Sequence, residues 1–136
     1  MENMIKIFFD PNKTFIKVKY KAGKFRDGRD YPAVDEKRPL SLLNADLKTL
    51  FAYTSSNDSI PNPERGRPRQ EVVVSILMRN VISQKPWEES WVSFWRDHFS
   101  IFAHDQNVGA FSPHWEENVI RRHCWGNFRE MLEAAA

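Results

Sequence analysis

One cysteine, Cys124, stands in a chain of 136 residues, so no intrachain disulfide can form and the sequence suits a reducing compartment. No apolar run approaches the ~20 residues that a bilayer-spanning helix requires. The first residues, MENMIKIFFDPNK, place an acid at Glu2 and end their short apolar stretch at Asp10 and Pro11. That is the wrong build for a secretory signal, and a cytoplasmic location is expected. Charge of one sign is also lacking: 20 basic against 18 acidic residues leave a net +2. So small an excess gives no ground for a nucleic-acid partner, and none is expected. There is no C-x-x-C, no H-E-x-x-H, no internal repeat and no low-complexity tract. What remains is an ordinary globular composition, 41% hydrophobic and 28% charged, of a size that buries roughly 68% of its unfolded surface in one domain.

The informative content is concentrated. All five tryptophans, all four histidines and the cysteine fall between Trp87 and Trp125. Within that window Trp87, Trp91, Phe94, Trp95, His98, Phe99 and Phe102 repeat at the i, i+3, i+4 spacing of a single helical face. Pro86 or Trp87 opens this helix, with Glu88 and Glu89 suited to its positive N-terminal end. Trp91 and Trp95 are expected in the core, against Val73, Leu77 or Val81 of the preceding helix.

Other elements follow from punctuation and period. Met4–Phe9 reads as a short strand, and Thr14–Tyr20 alternates with Ile16, Val18 and Tyr20 opposite Lys17 and Lys19, which suggests a hairpin. Residues 21–39, with their glycines, prolines and charges, read as an irregular segment. Asn44 can cap a helix reaching about Tyr53, with Leu43, Leu47, Leu50 and Phe51 as its apolar side. A second helix, Arg69–Ser83, has Pro68 in its first turn and Val73, Val74, Leu77, Met78 and Val81 on one face. Residues 103–113 read as a connecting loop. A last helix, Pro113–Ala135, has Ser112 as its cap and Ile120, Cys124, Phe128, Met131 and Leu132 as its apolar positions. Gly126 within it calls for close approach of a neighbour, and Asn127 beside it reads as a buried amide joining helices. The fold class expected is mainly α, about four helices in an irregular bundle with an N-terminal β-hairpin or extended arm. Residues 1–40 would form the arm and 41–136 the helical domain.

Few residues qualify as a site. His98 and His123 lie on or beside the apolar stripes of two helices, where two imidazoles could begin a metal or haem site. The alternative is that each ring packs and donates one N–H, and no metal or other cofactor is expected. His104 and His114 are expected to be exposed. Cys124 follows His123 directly, and neighbours on a helix point about 100° apart, which does not make a thiolate–imidazole pair. Arg65, Arg67 and Arg69 form a basic loop cluster without nearby aromatics to stack bases. They are candidates for contact with a partner.

The strings WVSFWRDHFSIF and WEENVIRRHCWGNFREMLEAAA resemble the bacterial domain of unknown function 1800 family. Phe94, Trp95, His98 and Phe99 match its first element. Ile120, Arg121, His123, Gly126, Asn127, Phe128, Arg129, Met131 and Leu132 match its second. Arg96 stands where relatives often have a second histidine, and Cys124-Trp125 where they have Ala-Leu. The resemblance spans roughly Glu36 to Ala136 and implies a mostly helical fold and no particular reaction. Such relatives run to several hundred residues, so the chain looks like an N-terminal module. On that ground Phe128, Met131 and Leu132 are expected to form a bare apolar face that binds another protein chain or a second copy. The function expected is a small non-enzymatic interaction module or accessory subunit. The alternative is a truncated cofactor- or metal-binding enzyme domain with His98 and His123 in its site.

Overall fold

The computed structural model describes residues 13–101 and 104–136. Strand β1, Phe15–Tyr20, follows its alternation: Ile16 and Val18 are buried while Lys17 and Lys19 face solvent. Its partner is β4, Val34–Pro39, paired antiparallel from Phe15 opposite Pro39 to Tyr20 opposite Val34. The predicted partner, Met4–Phe9, lies outside the described residues. Residues 21–39 are therefore not irregular throughout. β4 escapes pattern reading because VDEKRP has no apolar alternation; its strand form comes from pairing with β1, where Asp35 also lies 3.4 and 3.8 Å from the exposed Lys17 and Lys19. Between them β2, Gly23–Lys24, and β3, Asp30–Tyr31, form a small second hairpin. Gly28 supplies the φ of 91° that its turn requires.

Six helices follow. α1, Leu47–Phe51, is shorter than predicted and is capped by Asp46, not Asn44: the Asp46 carboxylate accepts from the Thr49 N–H at 2.9 Å. α2 runs Arg67–Ile82 with Pro68 in its first turn, where the missing N–H is harmless. α3 is Pro86–Phe99, opening at the predicted proline. The expected loop before Pro113 contains α4, Gln106–Ala110, whose first N–H groups are accepted by Asp105.

The last predicted helix is two. α5 occupies residues 112–123 and includes a π-helical stretch, Trp115–Ile120, where the Arg121 N–H donates to the Glu116 carbonyl five residues back. α6 is Phe128–Ala135. Gly126 marks the break rather than a close approach, since a Cβ there would meet only the His123 carbonyl at an ordinary 3.5 Å. Asn127 is no buried tie. It is exposed and caps α6, accepting the Arg129 N–H at 2.8 Å. Ser112 is no cap either; its hydroxyl donates to the Gly109 carbonyl.

Three apolar clusters hold these elements. Ile16, Val18, Leu40, Leu43 and Val72 join the β1–β4 pair to α2. Leu42, Leu50, Tyr53 and Ala110 seat α1 and α4. Val92, Val119, Ile120, Cys124 and Met131 join α3, α5 and α6, with Trp95, Phe99 and Trp115 half-buried against them. The predicted face of α2 is split: Val74 and Met78 pack on the first cluster, while Val73, Leu77 and Val81 are exposed. That helix has apolar residues on nearly every side, so its rotation follows the one buried polar contact it makes to a distant segment. Glu71 is fully buried, accepting from the Leu42 N–H at 2.7 Å and from Arg67, and Ser75 donates to the Val72 carbonyl.

Candidate interaction surface

The aromatic stripe of α3 is helical from Trp87 to Phe99, with Phe102 outside the described residues, and it is divided: Trp87, Trp91 and Phe94 point outward while Trp95 and Phe99 lean on the core. Glu89 and Val92 are the buried residues of this helix, so the inner face passes through Glu89, Val92, Arg96 and Phe99. Trp95 is half-buried against the third cluster. Trp87, Trp91 and Phe94 keep 58, 37 and 52% of their surface exposed, and beside them Trp125, Phe128 and Leu132 keep 57, 50 and 50%. Trp91 and Trp95 therefore do not pack on Val73, Leu77 or Val81.

These rings touch one another in a continuous chain. Trp87 meets Trp125 edge-on at 5.5 Å between centroids, and Trp125 meets Trp91 at 6.0 Å. Trp91 stacks on Phe94 at 5.4 Å with planes 6° apart, and Trp95 joins Phe128 at 5.6 Å. Such contacts hold each ring in place without covering it. The Trp91 indole N–H donates to the Cys124 carbonyl at 2.7 Å, satisfying one of the carbonyls freed where α5 ends. The break after α5 thus turns Trp125 and Phe128 toward α3 and assembles one face from three segments.

Beneath it lies an ion-pair network. Arg96 of α3 makes two hydrogen bonds to Glu116 of α5, which is only 2% exposed. Arg121 lies 3.4 Å from the same carboxylate and binds Glu89 through two bonds of 3.1 and 2.8 Å. Arg79 of α2 reaches Glu117 at 2.9 Å. Burial pushes the Glu89 carboxyl up, but the bonds and charge of Arg121, with Arg79 and Arg96 behind, hold it below the usual carboxylate value. Arginine suits this work because its fork meets a carboxylate with two parallel bonds.

A sequence profile for the family described as protein of unknown function (DUF1800) matches residues 11–136. The chain belongs to that family. Comparison with curated proteins and with solved structures gives no match. The stretches that resemble the DUF1800 family meet in space, since Trp95 of the first packs its ring on Phe128 of the second. Within the second stretch the residues divide their tasks. Ile120 and Met131 fill the core, Arg121 carries the ion pairs, Gly126 and Asn127 end one helix and start the next, and Phe128 lies over the outside.

The structure separates the predicted site residues of this DUF1800 chain. Phe128 and Leu132 are exposed as expected, but Met131 is buried in the core and cannot belong to a bare face. Arg65 and Arg67 are not open to a partner. Arg65 is buried and bonds the Asn57 carbonyl and Asp58, and Arg67 is buried between Glu71, the Pro39 carbonyl and Ser41. Arg69 is the least buried of the three; it lines a cleft of about 240 Å³, whose wall Arg65 shares, and lies 3.2 Å from His104. His98 is exposed and packs on Phe94, Trp95 and Phe99, not inside a helical core, while His123 is half-buried. His104 is exposed, and His114 is half-buried beside Asn118. Among the described residues no three His, Cys, Asp or Glu side chains are grouped to hold a metal ion. Cys124 is buried, and burial raises its thiol. Sequence reasoning missed Trp87, Trp125 and Phe94 as surface residues. The available signal was charge: Glu89 and Arg96 share the i, i+3, i+7 stripe of Val92, and two charges so placed mark an inner ion-pair face as readily as an outer one.

Proposed function

We propose that this chain is a non-enzymatic interaction module whose working surface is the aromatic face of α3, Trp125 and α6. The observation that carries the reading is the contiguity of Trp87, Trp91, Phe94, Trp125, Phe128 and Leu132, all exposed and nearly all in ring contact. At ~150–250 Å² per aromatic side chain, their exposed fractions amount to about 600 Å². That is the upper end of the apolar patch a folded monomer exposes, a size that is often functional, and tryptophan is among the residue types enriched as binding anchors. The rings of the face also brace one another, and Trp91 is tied to the backbone at Cys124. Little side-chain freedom would be lost on binding. Of the residues expected at a binding face, Phe128 and Leu132 are exposed, and the surface proposed here adds Trp87, Trp91, Phe94 and Trp125 to them.

The test is affinity capture from cells that express the chain, with bound chains identified and weighed against input. A Trp125→Lys, Phe128→Lys variant is expected to lose a specific chain that wild type and a Leu77→Lys control both retain. An identical captured set from all three proteins, each folded by circular dichroism, would remove the aromatic face from the reading.

A further inference from the structure

We infer that the occupant of the aromatic face is a second copy of this chain, related to the first by a two-fold axis. The inference rests on the interaction reading above and adds the partner. Two observations carry it. The first is area. A two-fold pairing hides the face on both copies, and twice about 600 Å² reaches the ~1,200 Å² at which specific interfaces begin.

The second is charge. The face is bordered at one end by Lys85, which lies 5.8 Å from the Trp87 ring and pairs with Glu88 at 3.0 Å. On α6 the residues following Phe128 and Leu132 are Arg129 and Glu133, paired with each other at 3.0 Å. The arginines behind the rings are likewise paired, Arg96 with Glu116 and Arg121 with Glu89. With these pairs closed within the chain, and with exposed charges of both signs beside them in Asp97, Arg122 and Glu130, the border carries no charge of one sign to repel its own copy. It offers nothing to a strongly acidic or basic partner, and single-stranded nucleic acid would require a cationic groove around the rings.

A two-fold interface is isologous, so residues at one end of the face meet the other end on the partner copy. Trp91, in the middle of the ring chain, falls nearest the axis. The Trp87–Trp125 end then packs on the Phe94–Phe128 end of the second copy. Closure at two is expected because each face is used up by one partner.

The experiment is light scattering with sedimentation equilibrium on the whole chain from roughly 1 to 200 µM, since an interface of this area sits at the weak end of specific pairing. Wild type is expected to pass from monomer to dimer with a dissociation constant of order micromolar. Trp125→Lys with Phe128→Lys is expected to weaken pairing by about 100-fold or more, as loss of central aromatic anchors does. Trp87→Lys, at the far end and away from α6, provides a second variant should the first disturb the helix break. Leu77→Lys is expected to dimerise as wild type does. A wild type that stays monomeric throughout overturns the second-copy inference, while the capture experiment then decides separately whether the face binds something else. Dimers that persist in both face variants overturn it also, by placing the contact elsewhere. Growth beyond two copies rules out the two-fold arrangement.

Discussion

Around β1, β4 and α2 the core is aliphatic and its edge is sealed by polar groups with partners; around α3, α5 and α6 the core is equally aliphatic but is overlaid by aromatic rings that remain half in solvent. In the first region Glu64 accepts from Tyr20 and from Arg38, and Glu71 accepts from Leu42 and Arg67. In the second, Val92, Val119, Ile120, Cys124 and Met131 do the packing, and Trp87, Trp91, Phe94, Trp125 and Phe128 form an outer layer. Aromatic content therefore measures capacity for contact, and its burial depends on what else the helix carries. On α3 the inner stripe was claimed by Glu89 and Arg96, because α5 offers Arg121 and Glu116 opposite them. The charged pairs face in and the large rings face out.

The comparison breaks most readily at Arg121. Arg121→Ala leaves Glu89 without its bidentate partner and Glu116 with Arg96 alone, and loss of one member of a buried pair costs ~3–5 kcal/mol. Chemical denaturation should show that loss against a total of ~5–15 kcal/mol. A near-normal midpoint would mean that the network is solvated and does not set the rotation of α3. Next come the two aliphatic cores. Ile120→Ala and Leu40→Ala, both at fully buried positions, should each cost ~2–5 kcal/mol. Similar losses support two cores of one kind; a much smaller loss at Ile120 would assign the packing of the second region to its rings after all.

The pH dependence sharpens the contrast residue by residue. Burial raises the Glu71 carboxyl, and the Leu42 N–H and Arg67 oppose it without prevailing. Burial also raises Glu89, but there the arginines prevail and its value is lowered. The signs are therefore opposite. A depressed folded value makes the Glu89 contribution full above the unfolded carboxylate value of ~4.3 and lost as pH falls through the folded one. A raised folded value makes the Glu71 contribution full below ~4.3 and lost as pH rises through the folded one. Glu64 has the sign of Glu89, held down by Arg38 and Tyr20 against its burial. Urea unfolding across acid to neutral pH should show a shallower fall on acidification in Glu89→Gln and a steeper one in Glu71→Gln. The same slope change in both would contradict the assignment. The smallest effect is expected at Trp125→Ala, where loss of a half-exposed ring should change stability by under ~1 kcal/mol, against several at Ile120.

Much of the element list was legible because its signals are local. Pro68 and Pro86 mark the openings of α2 and α3, and the Ile16–Val18 alternation marks the inner face of β1. The rotation of the helices was not legible. α2 is apolar on most sides, and only the Glu71 contact with Leu42, 29 residues away in sequence, selects its inner face. α3 has two competing stripes, and a period cannot say which of them meets a neighbour carrying complementary charge. The β4 strand was hidden because its form depends on β1 rather than on its own residues. The break at Gly126 and Asn127 was written in the sequence in ordinary helix-ending and helix-capping residue types, but the apolar period running through to Leu132 masked it.

The central claim is that the outer rings, Trp87, Trp91, Phe94, Trp125 and Phe128, are surface, and iodide quenching of tryptophan emission at submicromolar protein tests it most directly. Three of the five tryptophans are the exposed Trp87, Trp91 and Trp125. The expected result is that most of the emission is quenched in the folded, dilute chain, and that Trp87→Phe and Trp125→Phe each remove a large share of the quenchable part. Emission that iodide barely reaches until the chain is unfolded would place the rings inside the core and contradict the account.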